Sequence, residues 1–134
     1  MMQPEDRFLY EYSIIRYVPR VDREEFVNIG LLMMCKRQKW LRGEIALDKR
    51  RLEAFDNRLN LEALRRQTAF FSRDDVPSKE LPVEEKYRWL AAVKSAVLQT
   101  SPSHPGHIKN EERNPDYDTI LNEEFDRLFN DLVL

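Results

Sequence analysis

The sequence predicts an α+β domain, a small antiparallel sheet of a three-stranded meander plus a short fourth strand, packed against helices on one face. Three observations lead there. Residues 8–18 and 40–47 alternate apolar and polar side chains at the two-residue period of a half-buried strand. Between them, Phe26 to Cys35 is an almost unbroken apolar run, as in a central strand covered on both faces. Beyond residue 48 the apolar residues instead recur at helical spacing behind good capping residues.

In the first strand Tyr10, Tyr12, Ile14 and Val18 share one phase, and Pro19, which cannot donate to a ladder, ends it in a polar loop. The second strand is Phe26 to Cys35, where the short length and Gly30 favour a strand over a buried helix. A polar turn, Arg37 to Lys39, leads to the third strand, Trp40 to Leu47, with Leu41, Ile45 and Leu47 in one phase. Asp48 and Asn60 are N-caps for two short amphipathic helices, their side chains able to accept from the orphaned first-turn amides. The polar stretch Ser72 to Glu80 reads as a loop, and Pro82 opens a helix from Val83 to about Val93. Ser95 to Thr100 is the fourth strand, followed by a stiff loop, Ser101 to His107. Asp118 caps a last helix on which Leu121, Phe125, Leu128, Phe129 and Leu132 form one stripe.

A chain of 134 residues fits one domain, 1–134, that can bury roughly two-thirds of its unfolded surface. The single cysteine, Cys35, sits in an apolar run, which excludes an internal disulfide and reads as a buried thiol in a reducing compartment. With no secretory start and no apolar run of membrane-spanning length, a cytoplasmic location is expected. The net charge of -2 argues against nucleic acid as the dedicated partner. Basic residues nevertheless gather in the middle of the chain and acidic ones in the tail, two faces able to attract each other.

No cofactor and no metal site is expected. Gly30, Gly43 and Gly106 are too dispersed for a phosphate-cradling loop, and His104 and His107 lack an identifiable third ligand. Ser101 and Ser103 lie in no nucleophile motif. Hairpin turns near Val21–Asp22 and Gln38 put Arg16 opposite Asn28, Ile14 opposite Gly30, and Tyr12 opposite Leu32, with Glu44 beside Leu32 and Ala46 beside Gly30. One face then carries Ile15, Tyr17, Ile29, Leu31, Met33, Cys35, Leu41, Ile45 and Leu47. The other carries Tyr10, Tyr12, Arg16, Asn28, Trp40, Arg42 and Glu44, with a gap at Gly30, and is the candidate site. There Arg16 either forks onto a carboxylate or phosphate of a ligand or partner, or pairs with Glu44 while Asn28 bonds nearby backbone.

From Tyr12 to Leu32 the chain reads Tyr-Ser-Ile-Ile-Arg-Tyr-Val-Pro-Arg and then Glu-Glu-Phe-Val-Asn-Ile-Gly-Leu-Leu. Further along come Arg88-Trp89-Leu90, the stretch Ser95 to Gly106, and an acidic C-terminal helix. In these segments, which span nearly the whole chain, it resembles the bacterial family catalogued as domain of unknown function 3037. The resemblance implies that Arg16, Arg20, Asn28, Gly30, Arg88, Gln99, Ser101 and His104 occupy family motif positions. Genes of that family often lie beside one for a HipA-like kinase, which implies a partner or regulator rather than a free-standing enzyme. A protein-interaction or regulatory module is therefore the expected function. The alternatives are a small enzyme or ligand-binding protein with Arg16, Asn28, Gln99 and His104 in one pocket, and single-strand RNA binding on the Tyr10, Tyr12, Trp40 and Arg42 face.

Overall fold

A computed structural model describes residues 7–72, 81–92, 95, 97–110 and 112–134. The strands are β1 (Arg7–Arg20), β2 (Glu25–Cys35), β3 (Trp40–Ile45), β4 (Leu98–Thr100) and β5 (His104–Lys109). The helices are α1 (Lys49–Phe55), α2 (Leu61–Thr68), α3 (Val83–Ala91) and α4 (Tyr117–Leu132). The sheet is antiparallel in the order β3-β2-β1-β4, and β5 also pairs with β1. The fold is thus α+β, as the residue pattern predicts. The expected loop at residues 73–80 and the far end of the third helix at Val93 lie outside the described residues.

The caps follow from side-chain chemistry. Asp48 accepts from the Arg51 amide and Asn60 from the Ala63 amide, as expected, while α4 is capped by Asp116 rather than Asp118, its carboxylate accepting from the Thr119 amide.

Two expectations about the layers and the edge strand are also corrected. Helices cover both faces of the sheet, not one. On the first face Ile15, Tyr17, Val27, Ile29, Leu32 and Met34 pack with Leu52, Leu64, Phe71, Tyr87 and Leu90 from the first three helices and the turn after α2. On the second, Phe8, Tyr10, Leu31, Met33 and Cys35 pack under Leu121, Phe125 and Leu128 of α4. The second correction concerns the stretch Ser101 to His107, which is strand from His104 onward. Pro105 is tolerated because β5 lies at an edge, and Gly106 is required because a Cβ there would collide with the Tyr10 ring. β4 and β5 are two pieces of one edge strand interrupted at Ser101. The Ser101 hydroxyl mends the break, accepting from the Ile14 amide at 2.8 Å and donating to the Pro102 carbonyl.

The register also differs from expectation, by one residue over most of its length. Arg16 does lie opposite Asn28, but Ile15, not Ile14, faces Gly30, and Ser13, not Tyr12, faces Leu32. Ile29 is the extra residue of a β-bulge between those two stretches. On the other side Gly43 faces Leu32 and Ile45 faces Gly30, in place of Glu44 and Ala46. Gly30 therefore offers no gap for a ligand. A Cβ there would stand 2.6 Å from Ile45 Cδ1 and 2.7 Å from the Glu44 carbonyl oxygen. Replacing Gly30 with Ala is expected to cost about 1–3 kcal/mol through overpacking, read as a lower urea midpoint at unchanged slope. An unchanged midpoint would contradict this strand register.

Candidate functional site

The bulge at Ile29 creates the site. Counting back from Cys35, alternate residues Met33 and Leu31 face α4, and an unbroken strand would send Ile29 and Val27 the same way. The extra residue reverses the phase, so Ile29 and Val27 join the opposite core while Asn28 turns toward α4. Arg16 stands opposite Asn28 on β1, and Gln99 stands opposite Arg16 on β4. Since directly paired residues share a face, Asn28, Arg16 and Gln99 form one polar row across three strands.

The ends of two helices close this row. Asn28 Nδ2 donates to the Leu132 carbonyl at 3.0 Å, and Arg51 Nη1 on α1 donates to the Val133 carbonyl at 2.6 Å. Both satisfy acceptors that the last turn of α4 leaves open, at the end where a cation is favoured. Arg16 does not pair with Glu44, which lies 3.5 Å from Arg42 instead. Its guanidinium stacks on Phe26, the Cζ atom 4.1 Å from the ring centroid. Two buried polar atoms remain without a hydrogen-bond partner among the described residues: Arg16 Nε and Asn28 Oδ1. Beside them a cleft of about 390 Å³ is lined by Phe26, Val27, Asn28, Arg51, Ala54 and Phe55.

The other motif residues lie elsewhere. Arg20 is exposed at the hairpin end and pairs with Asp22 at 2.7 Å. His104 lies opposite Tyr12, its ring 5.3 Å from the tyrosine ring, and that position is roughly 13 Å along β1 from Arg16. It cannot serve a small ligand held by Arg16. His107 faces Leu9, on the opposite side of the sheet from His104, so the two histidines do not converge on a metal. Arg88 and Ser101 meet at a second cleft, about 400 Å³, on the α3 side, with Glu11, Ser13, Tyr87 and Ser103. There the Tyr87 hydroxyl is shared between Ser13 Oγ at 2.8 Å and Ser103 Oγ at 2.7 Å, and burial raises its pKa. Burial likewise pushes the Cys35 thiol up, keeping it protonated and unreactive.

The aromatic face is no platform for RNA, because α4 covers it. Trp40 packs on Phe125, Tyr10 donates to Glu124 at 2.7 Å, and Arg42 lies on the Phe125 ring while reaching Asp126 at 3.1 Å. The Arg42–Asp126 pair also joins the basic middle of the chain to its acidic tail. Phe26 and Arg51, both at the site, carry no signal in the sequence. One is a residue in an apolar run and the other belongs to a basic helix, and only the bulge and the approach of α4 bring them beside Arg16.

Residues 12–133 match the family model described as protein of unknown function (DUF3037). The chain belongs to that family. No curated protein and no solved structure matches it significantly. In this DUF3037 chain the described helices include none long and apolar enough to cross a membrane.

The cleft depends on α1 staying in place, and Tyr17 holds it there. Its hydroxyl donates to Asp56 at 2.6 Å, at the C-cap of α1. Burial first, then the bond to Asp56 and its charge, push the Tyr17 pKa from 10.0 up to about 12. A raised pKa here means that the folded state holds the phenolic proton more tightly than the unfolded chain. The resulting stabilisation is complete below about pH 10 and is lost as pH rises toward 12. Tyr17→Phe is expected to lower stability by about 1.5–3 kcal/mol at neutral pH, the worth of a bond to a charged group. Denaturant titrations across pH should show the gap between the two proteins narrowing between pH 10 and 12. A gap independent of pH would refute the Tyr17–Asp56 bond.

Proposed function

We propose that this DUF3037 chain is a protein-interaction module, a partner or regulator of another protein, and that the partner contacts it at the row formed by Asn28, Arg16 and Gln99. The observation that carries this reading is the pair of orphaned atoms, Arg16 Nε and Asn28 Oδ1. A buried polar group without a partner costs about 1–3 kcal/mol, and here two belong to directly paired residues on neighbouring strands. The surroundings favour a macromolecule over a small substrate. The cleft is walled by Phe26, which is exposed, and by Phe55, and its other lining residues, Val27 and Asn28 of β2 and Arg51 and Ala54 of α1, include no acid–base pair.

The resemblance to a family whose genes often accompany one for a HipA-like kinase supports such a kinase as the partner, in the cytoplasm. Capture from the native host at endogenous levels tests this. The wild-type chain should retain the kinase, and Arg16→Ala should lower its recovery by at least about tenfold, as truncation of a buried charge at an interface does. Recovery of no stable partner, or equal recovery with the Ala variant, would overturn the proposal.

A further inference from the structure

The orphaned pair also indicates what chemistry the site takes, an inference that rests on the docking reading above. Arg16 offers guanidinium donors and needs an acceptor at Nε, and its Cζ lies over the Phe26 ring, 4.1 Å from the centroid. Asn28 is oriented by its amide donating to the Leu132 carbonyl, which leaves Oδ1 as an acceptor in need of a donor. An occupant that satisfies both atoms presents an anionic acceptor and an N–H or O–H donor side by side. A phosphomonoester fits poorly, since near neutral pH it is mostly a dianion with acceptors alone. A carboxylate next to a peptide N–H presents both. Charge agrees, for the residues lining the cleft include Arg51 and no acid. Arg51 is already engaged with the Val133 carbonyl, and Arg16, just outside the lining, stands opposite Asn28 on the neighbouring strand.

We propose that Arg16 and Asn28 form a receptor for a peptide-borne carboxylate, Arg16 forking onto the carboxylate and Asn28 Oδ1 accepting from the adjacent backbone N–H. Both atoms are sealed from water, beside Phe26, which is 45% exposed.

The test uses the full chain, ¹⁵N-labelled, and small probes followed by NMR at the Arg16 Nε–Hε signal. N-acetylglycine carries a carboxylate and the neighbouring N–H, N-acetylsarcosine carries the carboxylate alone, and inorganic phosphate carries only the oxyanion. N-acetylglycine should shift the signal saturably and bind about fivefold more tightly than N-acetylsarcosine, the worth of one hydrogen bond. Arg16→Lys, which keeps the charge and loses the fork, should abolish the saturable response in the remaining cleft signals. Equal affinity for the two acetylated acids, preference for phosphate, undiminished binding by Arg16→Lys, or no saturable shift would each overturn the proposal. The comparison among probes is made on the wild-type chain, so it holds even if the variant folds poorly. Should N-acetylglycine fail while partner capture still depends on Arg16, the ligand class falls and the docking reading stands.

Discussion

The β-bulge at Ile29 is the constraint on which the rest of this molecule depends. A sheet with a core on each face needs every strand to keep its alternate residues sorted, and a shift by one residue exchanges the two sets. β2 meets that demand twice, once before and once after the bulge, with opposite phase. From Leu31 to Cys35 its odd residues belong to the α4 core, whereas Ile29 and Val27 belong to the core of the first three helices. What the reversal leaves on the α4 face is Asn28 and Phe26, beside Arg16 from β1. The polar row is thus a consequence of the same irregularity that keeps the apolar residues of β2 inside.

Such an arrangement is tolerated because its costs are local and its supports are shared. Arg16 gains a stacking contact with Phe26, and Asn28 closes an acceptor at the end of α4, so each residue is held by one good interaction while one atom goes unmatched. The two cores supply the stability against which those unmatched atoms count. The end of α4 is bound twice over, by Asn28 and by Arg51, which links α1, α4 and β2 at one place. Tyr17 adds a third tie from β1 to α1 through Asp56. Four elements, β1, β2, α1 and α4, are thus tied together at the site.

Much of the fold was legible because its signals are local. The cap at Asp48, the cap at Asn60 and the proline before Val83 each act within one helical turn, and alternation in β1 needs no partner to be seen. The bulge was not legible. The run from Phe26 to Cys35 is apolar at nearly every position, so it carries no alternation from which a change of phase could be read. A turn centred near Val21–Asp22 gives the pairing of Arg16 with Asn28 only because that pair lies between two register shifts, at Tyr17/Arg20 and at Ile15/Arg16, and from Ile15 onward it is one residue off. The same blindness made Gly30 look like an open gap, when Ile45 and the Glu44 carbonyl fill it. β5 was missed for another reason. Proline and glycine argue against a strand in general, yet at an edge, beside the large ring of Tyr10, they are the residues that fit.

Four other motif positions, Ser101, Gly30, His104 and Arg20, are explained by structure rather than by a shared ligand. Ser101 replaces a backbone acceptor where the edge strand breaks, and Gly30 permits β3 to approach β2. His104 packs its ring, tilted, against Tyr12, and Arg20 pairs with Asp22. Each role is complete within the chain. Arg16 and Asn28 differ, because their geometry is fixed from one side only and a hydrogen-bonding atom is left over on each. A group that serves the fold alone would find its partner within the fold, as the Tyr87 hydroxyl does between Ser13 and Ser103. That imbalance, rather than any acid–base group or metal-binding set, is what the proposed docking site rests on.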